Sequence, residues 1–282
     1  MSQAVQRILI LAISLVLTVN AYAETVVTRV SDKQKVTMPY LISEAKRSDL
    51  VLIGEAHDDK AHHEMQLSLI RALCTPKSPF VIGLEMFQAD SQPELDNWTA
   101  GKLSEKEFLK IYAKNWSLDW ALYRDIFLYA RDNQIPMVAL NISKELVAKV
   151  SRSGFASLTP EESHYLPEGT TCDLNNPHTA FLKSSFEEVF KHVTNGRVFT
   201  YFCEAQTLRN SGMAMNIARY VKKYPGRKIV ALAGIWHAVK NAIPEQLERR
   251  GSTLTNTIIL PEIAELNAKN ATPAVADYLI GR

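Results

Sequence analysis

Residues 50–57 read Leu50-Val51-Leu52-Ile53-Gly54-Glu55-Ala56-His57, four apolar residues directly before a glycine and two ionisable side chains. A short run of Val, Ile and Leu without polar alternation is typical of a strand buried on both faces of a parallel sheet. Gly54 permits a sharp turn off such a strand. We therefore predict a buried strand at Leu50–Ile53, with Glu55 and His57 at its carboxyl end.

Similar apolar runs recur along the chain, and longer stretches with helical spacing separate them. The predicted strands are Leu50–Ile53, Phe80–Leu84, Pro136–Leu140, Val198–Phe202, Ile229–Ala233 and Thr257–Leu260. The predicted helices are Ala61–Cys74, Ser104–Ala113 with a capping box at Ser104 and Glu107, Asp119–Asn133 and Gln206–Lys223. This alternation predicts an α/β fold with a mainly parallel central sheet flanked by helices. Residues 155–195 interrupt the alternation of strands and helices, which predicts a helical insertion there. The segment after Pro261 is expected to pack loosely.

Composition narrows the class of protein. The chain has 282 residues, of which 46% are hydrophobic and 22% are charged, so it is neither a disordered chain nor a multi-pass membrane protein. The net charge of +2 does not indicate nucleic-acid binding. Residues 24–282 are predicted to form a single domain.

The first 23 residues have the pattern of a secretory signal peptide. Arg7 supplies a positive charge, Ile8–Val19 is apolar, and Ala21-Tyr22-Ala23 fits a cleavage site. We predict export to the periplasm or the cell exterior, with no stable membrane span after cleavage; an uncleaved membrane anchor is the alternative. No cysteine that could accept a lipid follows the apolar run.

The three cysteines would then lie in an oxidising compartment, where one pair can form. We expect Cys172 to pair with Cys203, because the loop around Cys172 is free to move. Cys74 ends a predicted helix and is expected to be a buried small hydrophobe.

Polar side chains follow most of the predicted strands. Because the carboxyl ends of parallel strands lie at one edge of a sheet, we expect these side chains to meet there. His57 and His237 each follow a glycine at the same Gly-x-x-His spacing. The residues concerned are Glu55, His57, Glu85, Asn141, Glu204, Gln206 and His237.

Two chemistries fit such a site. His57, His237, Glu55 and Glu85 could hold a divalent metal, or the same four could perform acid–base catalysis without one. Each residue also has a structural interpretation, for example Glu55 in an ion pair or Asn141 as a helix cap. His62 and His63 are expected at an exposed helix start, since they lack the His-Glu-x-x-His pattern.

Aromatic residues cluster between Trp116 and Tyr123. They could belong to the hydrophobic core, or they could line the pocket of a flat apolar ligand. Motifs for dinucleotides, for phosphate loops and for serine hydrolases are missing from the sequence.

The ordered set of motifs resembles the ChaN family of haem-binding proteins in the Tiki/TraB/erythromycin-esterase-like superfamily, over about residues 42–247. It comprises residues 54–58, 85–87, 116–123, 139–141, 206–214 and 234–237. The resemblance implies an α/β domain, export, and haem whose iron is ligated by Tyr and possibly His, with two haems face to face in a homodimer. Asn210 stands where the pattern suggests Asp, which argues against a catalytic role that needs a carboxylate there.

For haem, the candidate contacts are Tyr123, Trp116, Arg124, Asn141, Gln206 and Arg209. Either arginine could meet a propionate. Tyr112, Tyr165 and Tyr201 stay open as alternative iron ligands to Tyr123. The favoured hypothesis is an exported haem-binding protein in bacterial iron or haem uptake. The alternatives are a metal-dependent or acid–base hydrolase that uses the Glu/His site, and a structural domain with residual site residues.

Overall fold

The computed structural model describes residues 25–173, 179, 182, 183, 186 and 196–281. The predicted signal peptide and part of the predicted insertion lie outside these residues.

The described strands form one sheet, in the order β2-β1-β8-β7-β3-β6-β4-β5. Six of the strands, from β8 to β5, pair in parallel, whereas β1 is antiparallel to both β2 and β8. The mainly parallel sheet of the prediction is therefore confirmed. The strands are β1 (Val26–Arg29), β2 (Gln34–Val36), β3 (Leu50–Glu55), β4 (Phe80–Gln88), β5 (Met137–Asn141), β6 (Lys228–Gly234), β7 (Asn256–Pro261) and β8 (Tyr278–Gly281).

Helices cover both faces of the sheet. Buried side chains of α1 to α5 form one core cluster with β3 and β4, and those of α7, α8 and α9 form a second cluster on the other face. Side chains cap several helix starts, including the predicted capping box at Ser104. The helices are α1 (Met38–Ala45), α2 (Lys60–Leu73), α3 (Gln92–Thr99), α4 (Glu105–Asn115), α5 (Trp120–Asp132), α6 (Lys144–Ser153), α7 (Gly196–Lys223), α8 (Ile235–Ala238) and α9 (Ile243–Arg249).

Five of the six predicted strands are present, but the strand at Val198–Phe202 is wrong. These residues belong to α7, so Glu204 and Gln206 lie on a helix and not at the end of a strand. A short apolar run is compatible with either a buried strand or a buried helix turn, because periodicity cannot separate the two over five residues.

The expectation of a loosely packed tail is wrong for its last residues, although residues 262–277 contain neither helix nor strand. Strand β8 is buried along its whole length and fills the space between β1 and β7. Its four residues lie far along the chain from β1, so a local reading of the sequence does not reveal the pairing. No described helix has the length and apolar character needed to cross a membrane.

The described part of the insertion begins with two short 3₁₀ helices, Phe155–Ser157 and Glu162–Tyr165, and continues irregularly to Asp173. Cys172 is bonded to Cys203 of α7, which confirms the expected pairing. The backbone carbonyl of Tyr165 accepts hydrogen bonds from Ser211 and Arg250. The insertion is thus held to α7 at both of these points. Cys74 is buried and unpaired, as expected.

Candidate functional site at the carboxyl edge of the sheet

The ends of three neighbouring strands build the candidate site. Glu55 is the last residue of β3 and pairs in register with Gly234, the last residue of β6. On the other side of β6, Glu85 follows Leu84 of β4, which pairs with Leu232. The backbone therefore places both carboxylates at one edge of the sheet. The turn after β3 carries His57 there, and the short helix α8, directly after β6, carries His237.

Glu55 lies at the centre of the first cluster. The hydroxyl of Tyr123 donates a hydrogen bond to Oε1 of Glu55, and Nδ1 of His57 lies 2.8 Å from the same oxygen. Nδ1 of His63 lies 3.4 Å from Oε2, while its Nε2 lies 3.0 Å from the carbonyl oxygen of His57. Three side chains from separate elements thus surround one buried carboxylate.

The two imidazoles set the ionisation of Glu55. Burial alone would raise its pKa, but the hydrogen bonds and charges of His57 and His63 outweigh burial and lower it to about 2. The same contacts raise the pKa of both imidazoles against the opposing effect of desolvation. Glu55 is therefore a charged acceptor that holds a proton on Nδ1 of His57.

Glu85 forms the second cluster. The backbone N–H of Gly234 donates to its Oε2 at 2.7 Å, and the guanidinium of Arg209 donates to its Oε1. Nε2 of His237 lies 3.5 Å from Oε1, and Nδ1 of His237 lies 2.5 Å from Oδ1 of Asn210. Burial would raise the pKa of Glu85, but the charges of His237, Arg209 and His57 lower it. Asn210, noted as a departure from the family pattern, thus positions an imidazole.

His57 differs from the other imidazoles of the site in its exposure. Its side chain is 36% exposed, whereas that of His237 is 5% exposed. The ring lies against Gly234, where an added Cβ would come 2.9 Å from Nε2. No hydrogen bond joins this Nε2 to any residue in the described part of the chain. Its Nε2 therefore offers a lone pair or a proton to a ligand.

A cavity of about 320 Å³ lies beside the clusters. Its walls combine apolar side chains with two cations, Lys144 and Arg209. The ring of Trp116 lines the cavity and contacts His57 edge-on, at 5.1 Å between centroids. Asn141 also lines it and donates its amide N–H to the backbone oxygen of Glu85. The apolar lining includes Met86, Trp116, Ile142, Val147 and Ala148.

Some candidate residues lie apart from these clusters. Arg124 forms a salt bridge with Glu105 on the surface, and Gln206 accepts a hydrogen bond from Arg209 on α7. Tyr112 is buried, with no hydrogen-bond partner for its hydroxyl among the described residues. Tyr201 lies beside Gly154, next to the insertion. The structure therefore gathers Glu55, His57, Glu85, Arg209, His237, Tyr123, Trp116 and Asn141 at one edge.

Sequence reasoning misplaced His63, which is buried in the first cluster and is not part of an exposed helix start. The signal was present in the helical spacing. His63, Gln66, Ile70 and Leu73 recur at intervals of three or four residues and form the buried face of α2. By contrast, His62 accepts a hydrogen bond from the backbone N–H of Ala56.

The four proposed metal ligands do not form a metal site in the described residues, which contain no group of three or more His, Cys, Asp or Glu arranged to hold an ion. Glu55 and Glu85 are each already neutralised by basic side chains. The divalent metal is therefore not supported.

Two solved structures share this fold. One, described as "Cofacial heme binding to ChaN of Campylobacter jejuni", is 18% identical and has a TM-score of 0.74; the match covers 92% of this chain and 97% of that one. The other is a mutant of the erythromycin esterase EreC in its open conformation, 18% identical with a TM-score of 0.50, covering 84% and 76%. Identities this low establish the fold alone.

Among curated proteins, RETICULATA-RELATED 5, a chloroplastic protein of Arabidopsis thaliana, is 22% identical over 284 residues. The match covers 91% of this chain but 38% of that protein, so the chain spans less than half of its relative's length.

The family model described as "Haem-binding uptake, Tiki superfamily, ChaN" matches residues 41–247. This range begins in α1 and ends in α9, and it includes every residue of both clusters. The chain therefore belongs to the ChaN-like family of haem-binding uptake proteins in the Tiki superfamily.

Proposed function

We propose that this protein binds haem and serves bacterial iron or haem uptake as an exported protein. The family match over residues 41–247 carries the proposal. Export is supported by the pattern of residues 1–23 and by the bond between Cys172 and Cys203, because such bonds persist mainly in oxidising compartments.

The cavity beside the two clusters suits a porphyrin edge. A haem site needs an apolar slot, cations for the propionates and an axial ligand for the iron. Trp116, Met86 and Ile142 supply an apolar wall. When bound, the haem supplies an iron whose axial positions accept a side chain of the protein.

Lys144 is the best-placed cation for a propionate. Arg124 is paired with Glu105, and Arg209 is paired with the buried Glu85. Lys144 lines the cavity, and its Nζ donates only to the exposed backbone oxygen of Lys114 in the described part of the chain. We therefore propose that Lys144 neutralises a propionate and that Trp116 packs against the macrocycle.

A homodimer is also part of the proposal. The ChaN structure of Campylobacter jejuni is described as binding haem cofacially, and two haems face to face require two sites brought together. Size-exclusion chromatography with light scattering should show the mature chain shifting from monomer to dimer as hemin is added.

The direct test is a hemin titration of the mature chain, residues 24–282, followed in the Soret region. We expect a saturable shift of the band, with weaker binding in Trp116→Ala and Lys144→Glu. Arg124→Ala is the matched control, because Arg124 carries the same charge as Lys144 but lies in a surface salt bridge. A Soret band that does not shift in the wild type would refute the proposal.

A metal-free hydrolase is the second candidate, favoured by one observation. A buried carboxylate that orients a half-exposed imidazole, as Glu55 orients His57, is an arrangement used in general base catalysis. Turnover of small esters that disappears in His57→Ala, together with a failed hemin titration, would support this function instead.

A further inference from the structure

We propose that Arg219 and Arg250 form a binding site for a phosphate group with two negative charges, either as inorganic phosphate or as part of a lipid headgroup. The site lies where α7, the end of α9 and the insertion meet. Neither arginine lines the cavity beside the Glu55 and Glu85 clusters, so the proposal does not depend on haem binding.

Arg250 is held in place by neutral acceptors. It directly follows α9, and its Nη2 donates hydrogen bonds to the backbone oxygen of Tyr165 and, at 2.9 Å, to Oγ of Ser211. Ser211 is fully buried on α7 and donates to the same oxygen of Tyr165 at 2.6 Å. Helix α7 and the backbone of the insertion therefore fix the orientation of this guanidinium.

The other two nitrogens of the guanidinium are left without partners. Nε of Arg250 is buried and makes no hydrogen bond in the described part of the chain, and Nη1 takes part in none of the hydrogen bonds of Arg250 found there. Neither acceptor of Nη2 carries a negative charge. A half-buried guanidinium without a counter-ion is unfavourable, because burial removes the water that would solvate its charge.

Arg219 brings a second positive charge to the same place. It is exposed on α7 and forms no salt bridge within residues 25–173 and 196–281. Burial and, after it, the charge of Arg219 lower the pKa of Arg250. Lys222 and Lys223, three and four residues further along α7, add to the positive charge of this surface. Two neighbouring cations repel each other, and an anion bound between them would remove this repulsion.

The chain treats its other arginines differently. Arg249, directly before Arg250, forms a salt bridge with Glu245 of α9, and Arg209 of α7 forms one with Glu85. Six arginines are paired with carboxylates in this way: Arg29, Arg47, Arg124, Arg131, Arg209 and Arg249. Arg219 and Arg250 therefore form a site whose negative charge has to come from a ligand.

The chemistry of the two arginines selects the ligand. Guanidinium groups present planar sets of N–H donors that match the oxygens of phosphate and carboxylate. A carboxylate brings one negative charge, whereas a phosphate monoester brings close to two at pH 7, which balances both arginines. One oxygen would accept from Nη1 of Arg250 and another from the guanidinium of Arg219. Inorganic phosphate and the headgroup of phosphatidic acid share this chemistry.

The test titrates residues 24–282 with inorganic phosphate in a chloride buffer and measures the heat by calorimetry. We expect saturable binding by the wild type. Arg219→Gln should lower the affinity by about tenfold or more, because it removes one of two charged donors. Acetate at the same ionic strength should bind more weakly than phosphate, and equal affinity for acetate would overturn the assignment to a doubly charged ligand.

Arg71→Gln is the matched control. Arg71 is exposed, and the variant loses the same charge, but it lies on α2, on the other face of the sheet. Its affinity for phosphate should equal that of the wild type. An equal loss in Arg71→Gln and Arg219→Gln would show a general effect of net charge and overturn the proposal.

A second experiment distinguishes a soluble phosphate from a lipid headgroup. Phosphatidylcholine vesicles with and without phosphatidic acid are pelleted with the wild type and both variants. Co-sedimentation that requires phosphatidic acid and is lost only in Arg219→Gln would assign the site to a lipid headgroup. Binding of inorganic phosphate without co-sedimentation would assign it to a soluble phosphate.

Arg250→Lys tests whether a guanidinium is required or a positive charge is sufficient. Lysine keeps the charge but lacks the planar set of donors, so the affinity for phosphate should fall as in Arg219→Gln. Because Arg250 also anchors the insertion, circular dichroism has to establish that this variant is folded. If it does not fold, Arg219→Gln decides, since Arg219 is exposed and its replacement breaks no salt bridge in the described part of the chain.

Two further results would overturn the proposal. One is a wild type that binds neither inorganic phosphate nor vesicles with phosphatidic acid. The other is unchanged binding in Arg219→Gln. A failed hemin titration, by contrast, would overturn the proposed function and leave this phosphate site unaffected.

Discussion

At the scale of single residues, two buried carboxylates define the molecule. Removing an ionised carboxylate from water costs several kcal/mol, and a buried ion pair recovers this cost only when its geometry is good. Glu55 and Glu85 both meet this condition, since each faces basic side chains at hydrogen-bond distance. Apolar residues of similar volume would serve stability as well, so stability alone does not account for two such clusters at one edge.

The Glu55 cluster predicts a stability maximum between about pH 4.5 and 6.5. Because the pKa of Glu55 is lowered to about 2, Glu55 increases the free energy of unfolding above pH 4.5. This stabilisation is lost as the pH falls towards 2. The pKa values of His57 and His63 are raised, so their contribution is present below pH 6.5 and is lost as the pH rises through the folded-state values. Urea denaturation across pH 2–8 measures both effects.

Glu55→Gln should flatten both limbs of this profile. The lowered pKa corresponds to a loss on the order of 3 kcal/mol on the acid side, which the variant would lack. Glu64→Gln, on the same edge but 60% exposed, is the control and should follow the wild type. Parallel profiles for wild type and Glu55→Gln would contradict the ion cluster.

We expect the Gly234→Ala variant to lose the arrangement of the site and to keep the fold. A Cβ at this position would come 2.8 Å from Cε1 of His57, closer than real contacts allow, so the imidazole must move away from Glu55. We expect destabilisation of about 1–3 kcal/mol and a weakened hemin Soret band. Gly226→Ala is the control, because its φ of +83° strains alanine and should lower stability while an added Cβ meets nothing within 4 Å, so the imidazole of His57 is not displaced. Unaltered hemin binding in Gly234→Ala would show that the ring position is unimportant.

At the scale of elements, the sequence predicts what local patterns encode. The buried strands β3 and β6 are recognisable because their apolar runs are bounded by Gly and polar residues. The run Val198–Phe202 of α7 is not, because a run of five residues fits either a strand or a helix. Strands β1 and β8 pair with each other although most of the chain separates them in sequence. The composition of either strand alone therefore gives little indication that it forms a strand.

The same distinction applies to the site. The convergence of Glu55, Glu85 and His237 follows from parallel topology and was therefore predictable. The contact of His63 with Glu55 depends on the packing angle of α2 against β3, which no spacing rule gives. The salt bridge that removes Arg124 from the site depends likewise on α4 lying beside α5.

The bond between Cys172 and Cys203 predicts that reductant destabilises the protein. It joins the insertion to α7 across 31 residues, and closing a loop of that length stabilises by about 3–4 kcal/mol in the chain-entropy account. Guanidinium denaturation with and without dithiothreitol should show the loss. The double variant Cys172→Ser/Cys203→Ser should start from the lower stability and be insensitive to reductant. Equal stability of the oxidised and reduced wild type would contradict the prediction.

At the scale of the whole molecule, one sheet separates two apolar cores and carries the candidate site at its carboxyl edge. In open parallel sheets, ligand crevices form at this edge, because the loops that follow the strands leave the hydrogen-bonded sheet there. Residues from β3, β4, β5, β6 and α7 therefore meet although they are distant in the chain. A ligand bound at this edge would therefore contact residues from both halves of the sheet.

Haem binding should consequently stabilise the whole fold. At hemin concentrations of about 100 times the dissociation constant, linkage predicts a gain of about 2.7 kcal/mol. For a domain of this size, each kcal/mol raises Tm by roughly 2–4 °C. Differential scanning fluorimetry should therefore show an increase of about 5–10 °C in the wild type and a smaller one in Trp116→Ala. The same increase in Trp116→Ala would place the haem elsewhere.

The placement of β8 bears on when the polypeptide can acquire its native state. Strand β1 has its hairpin partner β2 nearby, but its other neighbour, β8, lies about 250 residues downstream along the backbone. Loop closure over such a distance is slow, and β1 cannot pair with β8 until translation has passed Tyr278. A nascent chain therefore stays incompletely assembled between β1 and β7 until β8 has been synthesised.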